Sequence, residues 1–221
     1  MADGNPDENH VARELTRSFN AILMHDVIDG LRRAEQDKSQ GVQRDLIRAM
    51  FAAIEGSVWG YRKHVSSILK SLDELTPLMD MAFSEATYFV NNTGELESQS
   101  RFIPLTSMIR FTTRVAQEIS PDLTIDFGNA GWLEFKRAIA IRHRITHPKS
   151  ISDLTIVEDD VAVVTRSLLW LLGIIQEVME ATNLQAADYL SFTRSFLAQL
   201  VNGDAVALAA YQNVLRSLEN S

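Results

Sequence analysis

The chain has 221 residues, a net charge of -8, 46% hydrophobic and 23% charged residues, and no cysteine. That length and balance suit an ordinary globular protein with material for a sizeable core. The missing cysteine excludes disulfides and thiolate-bound zinc or iron–sulfur sites, and the acidity argues against broad, charge-driven coating of nucleic acid.

Ten Gly and five Pro, against abundant Ala, Leu, Ile, Arg and Glu, favour helix throughout. Asn5-Pro6-Asp7-Glu8 has a capping side chain, proline at the first helical position and an acid at the third, so a helix starts there. Its apolar stripe is Val11, Leu15, Phe19, Ile22, Leu23, Val27 and Leu31, ending at about Gln36. After the polar break 37–41, a second long helix carries Val42, Leu46, Ile47, Met50, Ile54, Val58, Tyr61, Val65, Ile68 and Leu69 on its buried face. Two long helices joined by a short loop pack antiparallel.

Thr76-Pro77 opens a shorter helix. A small β-hairpin is expected at about 87–105, with Tyr88 to Val90 leading into an Asn-Thr-Gly turn and Arg101 to Leu105 as the return segment. Helical spacing resumes from Thr106 to Ile119 and stops at Ser120-Pro121. The next helix begins near Asn129 and ends at Ile145 or Thr146, because Pro148 disfavours helical geometry at His147. Thr155-Ile156-Val157-Glu158 reads as a capping box for a helix that ends near Asn183. A last pair, about Ala186 to Val201 and Asp204 to Leu218, divides at Asn202-Gly203.

The expected fold is therefore all-α: an up-and-down helical bundle over 1–183, with a C-terminal helical hairpin over 184–221 packed on the bundle or on a second protomer. The polar, acidic N-terminus has the wrong chemistry for a secretory signal, and the longest apolar run, Ser167 to Ile175, falls short of the ~20 residues that cross a bilayer. A cytoplasmic location without membrane contact is the expectation.

There is no phosphate-cradling Gly-rich loop, no His-Glu-x-x-His and no Gly-x-Ser-x-Gly. His25-Asp26 is a lone pair on the first helix that reads as surface or satisfied core, His10 and His64 are isolated, and Glu55, Trp59 and Tyr61 read as core and rim packing. The acids are scattered, so neither a metal site nor a cofactor is expected.

One segment gathers chemically capable side chains. Between Lys136 and Lys149 lie five Lys or Arg, two histidines and no acid. Arg142 falls in the last helical turn and His147 just beyond it. A guanidinium binds phosphate through two parallel hydrogen bonds and holds charge that builds in the transition state. An imidazole with a near-neutral pKa takes a proton from an attacking hydroxyl or gives one to a leaving oxygen. Together they suit cleavage of RNA through its own 2′-hydroxyl, with His143 as a second titratable group and Arg144 as another cation. The same residues also suit a plain helix C-terminus, where cations complement the dipole and bond free carbonyls.

Ile141-Arg142-His143-Arg144-Ile145-Thr146-His147-Pro148 resembles the signature of the HEPN superfamily: Arg, a polar residue, three further residues and His, where one bundle helix ends before the next. The stretch from Asp126-Phe127-Gly128 through Trp132, Phe135 and Lys136 to Pro148-Lys149-Ser150 is similar to uncharacterised bacterial proteins of this type. The resemblance covers the helical core from about Asp7 to Asn183 and leaves out the final helical pair. It implies a metal-independent endoribonuclease of toxin, defence or RNA-processing type, with two protomers joining their motifs at a dimer interface. By position it implies Arg142 as phosphate binder and His147 as catalytic imidazole; His143 stands where Asn is the commoner occupant. Arg144, Lys149 and Lys136 are the candidate substrate contacts. RNA, a second copy of the chain and a cognate antitoxin or regulatory protein are the implied partners. The alternative is a non-catalytic module of the same fold that binds a nucleotide, RNA or a partner protein through the same basic pocket.

Overall fold

The computed structural model describes residues 6–219, with side chains described over 19–216. The protein is an all-α bundle with one small β-hairpin. Its elements are α1 (Pro6–Gln36), α2 (Gln40–Ser71), α3 (Pro77–Ser84), β1 (Ala86–Val90), β2 (Leu96–Ser100), α4 (Leu105–Ile119), α5 (Ala130–Thr146), a 3-10 turn (Ile151–Leu154), α6 (Glu158–Val201) and α7 (Ala205–Glu219). The cap expected at Asn5 lies outside the described residues, as do the side chains of Val11 and Leu15.

α2 is the central helix and packs against α1, α3, α4, α5 and α6. Leu46, Ile47, Met50, Ile54, Val58, Tyr61, Val65 and Leu69 are buried as the spacing predicts, Val42 and Ile68 are half-buried, and Phe51, Ala53 and Gly56 are buried in addition. The Tyr61 hydroxyl meets Thr113 Oγ1 at 2.9 Å. Burial pushes its phenol well above the usual range, so it is a core group and not a site group.

The expected face of α1 is buried only in part: Val27 is buried and Leu23 half-buried, Phe19, Ile22 and Leu31 are exposed, and Gly30 and Ala34 on the same side are buried as well. The reason is close approach. A Cβ on Gly30 would stand 3.1 Å from Leu46 Cδ1, and one on Gly56 only 2.3 Å from Leu23 Cδ1. Missing side chains let the two helices lie close, with Leu46 against Gly30 and Leu23 and Phe19 against Gly56, so the contact face adds small residues to the expected stripe.

The hairpin pairs β1 with β2 antiparallel, from Ala86 opposite Ser100 to Val90 opposite Leu96. The return strand therefore comes earlier than expected, and 101–104 instead leads into α4. The turn sets that register: Asn91 Oδ1 accepts from the N–H groups of Thr93 and Glu95, and Gly94 takes φ +83.

Two boundaries near α6 also differ. Thr155 ends the 3-10 turn and does not cap α6; the group reaching back to the helix start is Asp160, whose Oδ2 accepts from Val157 N–H at 3.0 Å. The helix then passes Asn183 without a break and runs 44 residues. Residues 180–187 contain neither Gly nor Pro, and Thr182 Oγ1 folds its hydroxyl back onto Val178 O, so nothing there interrupts the ladder. The stop at Asn202-Gly203 is as expected, with Gly203 at φ +75 and Asp204 Oδ1 accepting from Val206 and Ala207.

By length and hydropathy α6 could cross a membrane. Its buried Val163, Val164, Leu168, Leu171, Ile175 and Val178 belong to the bundle core against α2 and α5.

Candidate functional site

The 136–149 segment is built as its caps dictate. Asn129 Oδ1 accepts from Trp132 N–H at 2.9 Å and starts α5. At the other end His147 N–H bonds His143 O at 3.0 Å, and Pro148 prevents another turn. Trp132, Phe135, Ala138, Ile141 and Ile145 form the buried face of α5. Successive residues lie about 100° apart around a helix, so the basic residues between these anchors must point different ways.

Arg142 and His143 face a groove of about 680 Å³ between α2, α5 and the segment entering α4. Glu55, Trp59, Arg62, Glu85 and Phe102 share its lining. Arg142 Nη2 donates to Glu55 Oε1 at 3.0 Å, and Arg62 Nη1 donates to Glu85 Oε2. Glu85 is the pin of this wall. It ends α3 in the left-handed region at φ +51, its carbonyl accepts from Arg101 N–H at 2.7 Å, and its Oε1 accepts from Ile103 N–H. Arg62 Nε is buried and has no acceptor among the described residues.

The groove is therefore not a simple basic cleft, since both arginines stand against carboxylates. The Arg142–Glu55 pair is loose. Its side chains are 30% and 49% exposed, and pairs so exposed contribute about 0–1 kcal/mol. A phosphate can offer the same guanidinium two parallel hydrogen bonds where Glu55 offers one.

The exposed side of α5 aligns three of the expected residues. Lys136 and His143 are seven residues apart and lie above one another, with His147 one turn further on, and all three are exposed. Lys136 stands about 10 Å along the axis from His143 and outside the groove lining. Lys149 lies beyond the helix end, with its backbone N–H held by Asp153 and its side chain exposed.

Arg144 does not join this group. Its Nη1 donates to Thr155 O at 2.6 Å, with Asp153 O and Ser152 O at 3.3 and 3.4 Å, and its Nη2 donates to Asp160 Oδ2 at 2.6 Å. It fastens the end of α5 to the 3-10 turn and the start of α6. The expected substrate contact is a structural clamp.

The turn beyond the motif is held by a carboxylate. Asp153 Oδ2 accepts from the N–H groups of Lys149 and Ser150 at 2.8 and 2.9 Å and from Ser150 Oγ at 3.0 Å. These bonds, that from Lys149 foremost, hold its carboxyl below the usual carboxylate range. A depressed carboxyl stabilises the turn at any pH above its unfolded value, about 4, and that stabilisation is lost as pH falls through the folded value. Amide protection of Lys149 and Ser150 is expected to be flat from neutral pH to about 5 and to fall below about 4. Asp153→Ala should abolish the pH dependence and leave both amides open at neutral pH, as hydrogen exchange will show.

The sequence reading missed Arg62, Glu85 and Phe102 and set Glu55 and Trp59 aside. A signal existed for three of them: Glu55, Trp59 and Arg62 recur at four- and three-residue steps, a polar line along an otherwise apolar helix. A second hollow, about 580 Å³ beside α1, is lined by Asp26, Asp29, Arg32 and Arg33, and Arg32 and Asp29 pair with each other there. Among the described residues no three His, Asp or Glu side chains converge where they could hold a metal ion. Comparison of the chain with protein-family models, with curated proteins and with solved structures gives no match.

Proposed function

We propose that this protein is a HEPN-type endoribonuclease that cuts RNA without a metal, at a site completed by the motif of a second copy. The supporting observation is the placement of Arg142 and His143 on the groove, with exposed His147 immediately beyond the end of the same helix. In the proposed reaction His147 accepts the proton of the 2′-hydroxyl, and the 2′-oxygen attacks the adjacent phosphorus. Arg142 leaves Glu55 for the non-bridging oxygens and holds their growing charge. The bond from phosphorus to the 5′-oxygen breaks, and that oxygen leaves with a proton from an imidazole, either His143 or a histidine of the second motif. The products are a 2′,3′-cyclic phosphate and a 5′-hydroxyl. Lys136 and Lys149 then serve the flanking phosphates.

The carboxylates opposite Arg142 and Arg62 favour a second reading, in which the groove binds a nucleotide, RNA or a partner protein and cuts nothing. One experiment separates the two. Purified protein is incubated with EDTA on a set of unrelated RNAs and on DNA of the same sequences. The nuclease reading expects RNA fragments and intact DNA. Retention of RNA on a filter without fragments supports the binding module, and a result of neither binding nor cutting removes the nuclease and leaves RNA out of the second reading.

A further inference from the structure

Past Thr182 α6 leaves the bundle, and α7 folds back on it to make a two-helix arm. Among the described residues of the arm only Ala186 and Ala207 are buried. The large apolar side chains exposed between Leu184 and Leu215 are 39–86% accessible. Summed over every side of the arm they leave on the order of 1,000 Å² of apolar surface in solvent, of which Leu190, Leu197, Val201, Leu208 and Leu215 hold a part; a stable interface takes about 800 Å² from each partner.

We infer that this arm pairs with the arm of a second copy of the chain, making an intermolecular four-helix bundle. Three features select that occupant. First, the apolar arcs are too wide for a hairpin alone. On α6 they run from Phe192 through Phe196, Leu200 and Leu197 to Val201, about half the circumference, whereas one neighbouring helix covers a stripe of roughly 100°. α7 repeats this from Val206 through Ala207 and Tyr211 to Leu208. Helices with two apolar flanks each are those of a four-helix bundle, and one copy supplies half of it.

Second, the flanks register with each other. Leu190, Leu197 and Val201 fall on one line of α6 at seven- and four-residue steps, and Leu208 and Leu215 on one line of α7. Antiparallel crossing brings both lines to the same side of the arm, which gives the self-complementary face that a twofold contact needs. Third, the face carries little charge. Between 184 and 216 the charged residues are Asp188, Arg194, Asp204 and Arg216; Asp204 caps α7, and Arg194 falls on the α6 line between Leu190 and Leu197. A highly charged partner surface would be desolvated against it with one cation to compensate.

The contact is independent of the groove. Arg144 ties the motif to Asp160, and Leu184 lies 24 residues further along α6, about 36 Å at the helical rise. Pairing of the arms therefore does not by itself bring two Arg142 motifs together.

The test is the mass of the full chain in solution, by light scattering at tens of micromolar. Wild type is expected at twice the mass of Leu190→Asp/Leu197→Asp or more, with equal helicity by circular dichroism. Ser195→Asp, on the polar side of α6, and Arg142→Ala, in the groove, keep the wild-type mass. A monomeric wild type overturns the inference, whether or not it floats with phosphatidylglycerol vesicles, and so does an unchanged mass for the double variant.

Discussion

Arg144→Ala is expected to lower the thermal midpoint by roughly 5–10 °C, about 2–3 kcal/mol. The side chain is 29% exposed and Asp160 only 10%, so the pair is shielded enough to matter. Removing the guanidinium frees the carbonyls of Asp153 and Thr155 and leaves the Asp160 carboxylate with only its bond from Val157 N–H. That carboxylate sits at the start of α6, where the helix dipole favours negative charge, and this keeps the loss below that of a fully buried orphan. Arg144→Lys retains the charge but cannot reach Thr155 O and Asp160 together, so an intermediate loss is expected. Calorimetry of the three proteins decides the matter. A substrate contact would behave differently, with an unchanged midpoint and weaker RNA binding.

His147→Ala is expected to reduce the rate of RNA cleavage by about 10²–10⁴-fold, the usual contribution of a positioned acid or base. Its midpoint should move by no more than about 0.5 kcal/mol equivalent, because the side chain is exposed and the bond from its N–H to His143 O belongs to the backbone. The two variants together divide the segment. Arg144 carries stability, His147 carries chemistry, and the two lie three residues apart. A His147→Ala protein that retains more than a tenth of the wild-type rate would remove the imidazole from the mechanism.

Elements defined by their own local chemistry were legible in the sequence. The buried face of α2, the Asn129 cap, the Pro148 stop and the Asn202-Gly203 break each depend on residues within one or two turns. What the sequence hid depends on partners elsewhere. α1 buries Gly30 and Ala34 beside Val27 because Gly30 meets Leu46 and Gly56 meets Leu23, contacts between helices that a single-helix stripe cannot weigh. α6 continues through Asn183 because an asparagine alone does not end a helix without a glycine or proline to follow.

The site shows the same division. That Arg142 lies near the end of α5 and His147 just past it follows from Pro148. That Arg142 looks into a groove while Arg144 looks away follows from their 200° separation, once Ile141 and Ile145 are known to face the core. Glu55 stands 87 residues from the arginine it pairs with, and Glu85 arrives through a left-handed residue at the end of α3. Neither carboxylate carries a mark of that role in its own neighbourhood.

The central claim is that the Arg142 to His147 segment breaks RNA by its own 2′-oxygen. The most direct measurement is the chemical identity of the 3′-end left by wild-type protein in EDTA, read by mass spectrometry. The mechanism predicts a 2′,3′-cyclic phosphate on the upstream fragment, absent from digests made with His147→Ala. A 3′-hydroxyl end, or fragments of the same mass from the His147→Ala protein, would contradict it.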